Sequence, residues 1–503
     1  MYRQDRDRIS IVTTDTNEMN GFYIEDLKDG RIGQTGWLSR RETAATRDGE
    51  KWDMIPTSEQ EGTAVWKALN LTSLIALIDP DVPETGNEIA ILGSTNAVDI
   101  TTSYPFLFGK RIYLTIGEET VSDIGAVKRK NDLATLLDQA FSKRLPDTKE
   151  LIDNVAQLIR SFRIGSATNS DWQAIYIAPI RDMTCKVEDL RYTDISADGI
   201  GEILSSGISC PYFLDGTDIQ LGQLKIHNVT FADFDYLKPI LPSLFAETPA
   251  SIPEPLELAR AFMPQAISIA LEDLKIGLDG QCVITVRQAE HIHSTSTAPT
   301  PTSLFSRINN VAITAASPKD EETKTFLKDI GLEAIIWTEE TRLHWDKDTL
   351  ELTLEKLMVD VPGLGRAEAT MRLANVQKTL FEDPLNQWQT ALVSASFING
   401  DIRFVDAGMT TKAIQWVAKD AGYPEATLAE ALVAHAEATL QPVVQPAFAK
   451  TVSDAVADFL ANPGILRVVL APQKPVPVAQ IVGSMVTPQV LPELLNVQVT
   501  SSH

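Results

Sequence analysis

The chain is poor in the residue types that most readily carry chemistry. It has 3 cysteines and 6 histidines in 503 residues. Cys185, Cys210 and Cys282 are too few and too scattered for a disulfide framework or a thiolate metal site. At most one pair can bridge, and Cys185 with Cys210 is the nearer in sequence. Positive charge is also scarce: 44 Lys and Arg stand against 68 Asp and Glu, a formal charge of −24. Nucleic acid and anionic membrane surfaces both demand a basic footprint, so the balance speaks against them as partners. Long apolar runs are missing. The longest, Leu74 to Ile78, is far short of the ~20 residues of a membrane helix, so no transmembrane segment is expected. The charged start, Met1 to Arg8, does not lead into the apolar core of a signal peptide. No G-x-S-x-G elbow, H-E-x-x-H or Walker loop occurs.

What is present is ordinary globular material, 44% hydrophobic and 22% charged. The length suggests about three domains or one extended array. Two-residue turns are the strongest local signal. Asp29-Gly30, Asp48-Gly49, Asp198-Gly199, Asp215-Gly216, Asp279-Gly280 and Asn399-Gly400 all suit type I′ hairpin loops. Convincing arms flank two of them. Residues 267–278 and 281–289 meet across Asp279-Gly280, and 392–398 and 401–405 across Asn399-Gly400.

Helical patterns are grouped. Residues 131–143 and 147–162 form a pair broken at Pro146, and 243–262 holds one or two short helices among prolines. Near the C-terminus, 410–421 ends at Gly422, followed by 425–440 and 447–460, with Pro424, Pro442 and Pro446 between them. Asn462-Pro463-Gly464 then turns the chain into a strand at 465–471. Strands followed by grouped helices argue for α+β. The expected fold is a hairpin-rich, curved antiparallel sheet or repeat-like β body, with grouped helices and a C-terminal helical cap on the sheet. Its parts are an N-terminal β-rich region (1–130), a helical pair (131–165), a hairpin-rich β region with a Pro-rich helical insert (166–303), and a β region with the cap (304–503). The Ser/Thr/Pro stretch 294–303 reads as a flexible boundary loop. A weak repeat runs through the strands: Ile24-Glu-Asp-Leu27, Val187-Glu-Asp-Leu190, Leu271-Glu-Asp-Leu274 and Leu354-Glu-Lys-Leu357 share an apolar–acidic–polar–apolar pattern, which is also a common way to begin a half-exposed strand.

Candidate chemistry is sparse. His291 and His293 share one face of a strand and could give a metal two ligands, but no further Cys or His is nearby in sequence, and His344 or Glu290 would have to arrive through the fold. Gly199-Ile-Gly201 and Gly363-Leu-Gly365 lack the third glycine of a dinucleotide loop and read as hairpin turns. Asp79 with Asp81, and Asp5 with Asp7, lack EF-hand spacing. The Ala-rich helices 429–438 and 447–461 allow close approach, to each other or around a bound apolar molecule. No catalytic, cofactor-binding or metal residue is therefore assigned, and no cofactor is expected.

From about Cys185 onward the chain resembles uncharacterised alphaproteobacterial proteins with β-rich bodies, loosely similar to AsmA-like envelope proteins. The matching segments are L-E-K-L-M-V-D-V-P-G-L-G-R (354–366), G-D-I-R-F-V-D-A-G (400–408) and N-P-G-I-L-R-V-V-L-A-P-Q-K-P (462–475). The resemblance implies a periplasmic location, with the cytoplasm as the alternative because no signal segment is visible. Two functions of different class follow. One is a non-catalytic bacterial envelope protein that binds lipid or another apolar ligand, or serves as a scaffold for an envelope partner. The other is a hydrolase whose active site assembles only in the fold; a polar pocket joining a His to a Ser, Asp or Cys would favour it.

Overall fold

Hairpins placed in series give an antiparallel sheet, and the turn residues set where each strand ends. The computed structural model describes residues 14–48, 53–79, 81–83, 87–106, 110–129, 134, 142, 148–176, 183–211, 217–240, 254–278, 281–297, 299–314 and 321–503. The chain divides into two units, Met1–Pro264 with Leu271–Gln281 and Gln265–Ala270 with Cys282–His503.

In the first unit, β1 (Thr14–Asn20), β2 (Tyr23–Lys28), β3 (Arg31–Trp37), β4 (Ser39–Asp48), β5 (Asp53–Glu61) and β6 (Ala64–Asn70) precede two long strands. These are β7 (Glu88–Phe106) and β8 (Lys110–Val127). After them come β9 (Phe162–Tyr176), β10 (Met183–Ser196), β11 (Gly199–Cys210) and β12 (Thr217–Thr230), while β13 (Ala266–Leu278) is divided between the units. The main sheet runs β2–β3–β6–β7–β8–β9–β10–β11–β12, antiparallel throughout. A ribbon of β1, β4 and β5 joins it through β5 against β7. Asp29-Gly30 closes the β2–β3 hairpin with φ of 50° and 71°, as a type I′ turn requires. At Asp198-Gly199 the loop sits one residue earlier: Ser196 pairs with Gly199, so Ala197 and Asp198 make the turn. Asp48-Gly49, Asp215-Gly216 and Asp279-Gly280 lie partly or wholly outside the described residues, as does most of 131–143.

The strands are not uniformly extended. Asp26, Ala68, Asp123, Asp194 and Asn228 sit inside strands β2, β6, β8, β10 and β12 with φ between 52° and 57°. Register places them in one row across the sheet, alternating with Gly33, Gly93, Gly165 and Gly201 on β3, β7, β9 and β11. A second row runs parallel to it: Gly62, Asp99, Gly117, Asp171, Glu188, Gly207, Gly222 and Asp273. Its Asp99, Asp171, Gly207 and Asp273 are left-handed. Asp and Asn tolerate this region best after glycine. Glycine opposite has a different cause: the left-handed residue aims its Cβ at the neighbouring strand. A Cβ built on Gly165 would stand 2.7 Å from that of Asp123, and one on Gly201 2.8 Å from that of Asp194.

Each left-handed residue also shifts the pleat by one, so side chains three apart come to the same face. Ala97 and Ile100, on either side of Asp99, belong to one packed cluster with Trp37, Ala64 and Ile116, backed by Trp66, Leu114 and Trp172. Trp66 and Leu69, flanking Ala68, both pack against Leu77, Ile91, Leu92 and Ala126. Helices α1 (Leu71–Ile78) and α2 (Thr148–Ser161) contribute to that second cluster through Leu74, Leu77 and Leu158. Lys128, 6% exposed, closes the C-terminal end of α1 by donating to the carbonyls of Ala76, Leu77 and Asp79, each at 2.8 Å. Cys185 and Cys210 face each other across β10 and β11 and form the disulfide that their spacing allowed. Two short helices, α3 (Phe234–Leu237) and α4 (Pro255–Phe262), complete the described part of this unit.

The second unit continues with β14 (Gln281–Ser294), β15 (Ser303–Thr314), β16 (Ala334–Asp346), β17 (Glu351–Val361), β18 (Gly365–Ala374) and β19 (Ser396–Asp406). Beyond them, β20 (Ile465–Leu470), β21 (Val476–Pro477) and β22 (Val497–Ser502) extend the same sheet. The order is β14–β15–β16–β17–β18–β19–β20–β22, antiparallel, with β21 on one end of β19. Its helices are α5 (Glu321–Asp329), α6 (Thr379–Glu382), α7 (Pro384–Ser394), α8 (Met409–Ala421), α9 (Glu425–Leu440), α10 (Pro446–Ala461), α11 (Val478–Ser484) and α12 (Leu491–Leu494). One face of the sheet is apolar. Trp345, Leu373, Phe397, Val476 and Leu495 bury there with Phe381 of α6, and the Trp345 indole donates to the Val376 carbonyl at 2.9 Å. The expected cap of three helices is present at nearly the expected bounds, and 465–470 returns to the sheet beside β19.

Two expectations are overturned. Asn399-Gly400 is no hairpin: both residues lie within β19, paired with Arg372 and Met371 of β18, and residues 392–394 end helix α7. The glycine serves packing instead, since a Cβ there would meet the Phe397 ring at 3.3 Å. The 294–303 stretch is tethered rather than free. Thr302 N donates to Ser294 O, Trp345 N to Thr302 O, and Thr300 N to Phe381 O.

Each row of left-handed residues against facing glycines is a crease in the sheet, and its close contacts give a direct prediction. Gly165→Ala should lower the first unit's stability by about 1–3 kcal/mol, the usual range for forcing atoms into filled space. Gly483→Ala in α11, where nothing lies within 4 Å, should raise helix stability by up to about 1 kcal/mol. Urea unfolding of the two variants against the parent measures both.

Candidate functional site

Helix α9 is built almost wholly from Ala, Leu, Val, Thr and Glu, which makes it a strong helix former with apolar residues on every side. None of its 16 residues is buried. Its neighbours are anchored. On α10, Ala449, Ser453 and Phe459 are buried, and the Phe459 ring packs 6.0 Å from that of Phe404 on β19. On α8, Trp416 meets Phe326 of α5 edge-on at 4.9 Å. Asp406 fixes the start of α8 by accepting from the Gly408 and Thr410 amides, both at 2.8 Å, and from the Thr410 hydroxyl at 2.7 Å. The C-terminus of α8 closes on Gly422 at φ 71°. Between these helices lies a groove of about 650 Å³ whose walls include Ile414, Ala429, Val433, Ala434, Ala457 and Leu460. Glu425, Glu430 and Glu437 line it too. The volume falls within the roughly 300–1,000 Å³ of small-molecule sites. Small side chains, Ala429, Ala434 and Ala457 among them, leave the space.

The opposite, polar face of the sheet carries a second concave region. Glu340 on β16 is 3% exposed and is ringed by Arg342 Nε at 2.7 Å, Lys356 Nζ at 3.1 Å and Arg307 Nε at 3.9 Å. Burial alone would push its carboxyl up. The Lys356 ammonium, and after it the Arg342 guanidinium, outweigh that cost and hold the group below the usual carboxylate range. Nothing in the linear sequence announces this cluster except Glu340-Thr-Arg342, an i, i+2 pair that shares a strand face; Arg307 and Lys356 arrive only through register.

The residues singled out in the sequence fare as follows. His291 Nε2 and His293 Nδ1 stand 3.1 Å apart on one face, as alternation requires, with Ser306 and Leu304 across the ladder. Burial first, and the facing His293 second, hold His291 below the ordinary imidazole range. Among the described residues no group of three or more His, Cys, Asp or Glu could hold a metal. Gly201 belongs to the first row, whereas Gly363 lies within the β17–β18 turn and Gly365 pairs with Val361 at its end. Asp79 takes the Asp81 amide at 2.9 Å in a local turn, and Asp5 and Asp7 lie outside the described residues. Ser303, His344 and Glu355 line one shallow depression of about 410 Å³. Among the described residues, however, no hydrogen bond joins the serine to the imidazole or the imidazole to the carboxylate, so no nucleophile–base pair is assembled.

A family model described as "Uncharacterized protein" matches residues 358–502. The match covers the last four residues of β17, the groove helices and the strands up to β22. No curated protein matches the chain.

Glu340 sets a pH dependence. Its folded-state pKa is depressed, so its contribution is complete above the ordinary carboxylate pKa and is lost as pH falls through the lower folded value. The stability difference between the parent and Glu340→Gln should therefore be largest near neutral pH, about 1–3 kcal/mol, and should shrink as the solution is acidified. Denaturant midpoints measured across that range check the sign.

Proposed function

We propose that the protein is a non-catalytic binding protein of the bacterial cell envelope, and that the groove between α8, α9 and α10 takes an apolar, chain-like ligand such as the hydrocarbon part of a lipid. The observation that carries this is helix α9, an alanine-rich helix with apolar residues on every side and none of them buried, beside a groove of ligand size. Three glutamates along the lining favour a ligand whose polar end is neutral or cationic over an anionic one. The Cys185–Cys210 disulfide supports an oxidising compartment, and with it the periplasm, since such bonds are rare where thiols are kept reduced. The hydrolase reading gains nothing from Ser303, His344 and Glu355, which share a depression without bonding to one another.

Fluorescent long-chain amines and alcohols, titrated into the full chain, should bind saturably, and fatty acids of equal length more weakly. Ala434→Trp, which fills the groove, should cut affinity at least tenfold while the melting temperature holds. Free thiols counted on the same natively isolated protein should number about one per chain, from Cys282, given the bridged pair. Equal binding by the parent and Ala434→Trp would refute the groove, and three free thiols would refute the location.

A further inference from the structure

We propose that the polar face of the second unit's sheet carries a binding site for a phosphate-bearing small molecule, in the depression lined by Arg287, Arg307, Lys356 and Arg366. The depression holds about 520 Å³. Four cations line it against two carboxylates, Glu340 and Asp360, in a chain whose overall charge is −24. The local sign therefore runs against the composition.

The charges are not used up internally. Glu340 is a single negative charge shared among Arg307, Lys356 and Arg342. Arg287 makes no ion pair among the described residues. Arg366 pairs with Glu368 through Nη2, but its Nε is buried without a hydrogen-bond partner. A buried guanidinium N–H in that state calls for an acceptor, and the oxygens of a bound phosphoryl group would supply one. Neutral donors complete the lining: Gln288, Asn309, Asn310 and Thr338. A register shift between Ile308 and Val311, with Asn310 left-handed at φ 51°, brings Asn309 and Asn310 there, and the Asn310 amide donates to the Thr338 hydroxyl at 3.2 Å. Arg307 Nε donates to Asn309 Oδ1 at 2.9 Å, so the polar side chains are already ordered around the space. Several guanidinium groups beside amide donors match the tetrahedral oxygens of a phosphoryl group better than they match a halide. Glu340 is the organising anion: it gathers three cations from three strands and leaves a net positive charge for the ligand. The site shares no residue with the apolar groove and does not depend on it.

Isothermal titration calorimetry of the full chain at fixed ionic strength tests this with inorganic phosphate, pyrophosphate and soluble dihexanoyl phosphatidic acid as probes. Saturable binding of any of them is expected, at least tenfold weaker in Arg287→Ala/Arg366→Ala and unchanged in Ala434→Trp. Should the double variant not fold, Arg287→Ala, at an exposed position, should alone weaken binding at least threefold. Binding of inorganic phosphate or pyrophosphate would mark a free phosphate compound as the ligand, and binding of the lipid alone would mark a headgroup. No saturable heat with any of the three, or affinity unchanged in the arginine variants, would overturn the site.

Discussion

The contact between the Cβ of a left-handed residue and the backbone of a glycine on the next strand governs the first unit. It recurs strand after strand in two rows, with Gly93 and Asp99 on β7 and Gly165 and Asp171 on β9. Sterics alone explain both partners. A left-handed residue inside a strand is tolerable for Asp or Asn, and its side chain then leaves room only for hydrogen on the facing Cα. Ala68 occupies a left-handed slot without the local hydrogen bonding of Asp or Asn, and Glu188 stands opposite Asp171 where glycine is the rule. Ala68 therefore carries the cost of a left-handed Cβ.

Because each crease shifts the pleat, it decides which side chains meet. Trp37 and Trp66 reach one cluster with Ile116 and Trp172 because parity changes at Asp99, between Ala97 and Ile100. In the second unit the sheet is divided by chemistry instead. Phe404 and Leu373 face the helices, while Glu340, Arg307 and Lys356 face the other way. The two proposed sites differ in the same way, one between the helices of the C-terminal cap and one on the polar face, where cations outnumber the carboxylates that line the depression with them.

Much of the second unit was legible in the sequence, because proline and glycine punctuate it. Gly422, Pro424 and Pro446 delimit the three cap helices to within a residue, and Asn462-Pro463-Gly464 returns the chain to the sheet. Asn399-Gly400 misled because a turn dipeptide inside a strand looks the same as one between strands; the Phe397 ring over Gly400 is a tertiary fact. The creases were visible without being understood. The apolar–acidic–polar–apolar repeat at 24–27 and 271–274 places Asp26 and Asp273 at left-handed positions. At 187–190 it places Glu188 in the second row, and at 354–357 it coincides with a register shift in β17. A two-residue period cannot register a device whose effect is to break that period. The Glu340 cluster stayed hidden for another reason, since it needs the register of three strands.

Thiol accessibility on both sides of Asp99 tests the crease most directly. Ala97→Cys and Ile100→Cys, each introduced into a Cys282→Ser chain with the Cys185–Cys210 bridge intact, should both resist a water-soluble thiol reagent in the folded protein, because each native residue is 9% exposed on the same face. In an uninterrupted strand these two positions, three apart, point to opposite faces. Rapid labelling of one with protection of the other would contradict the account.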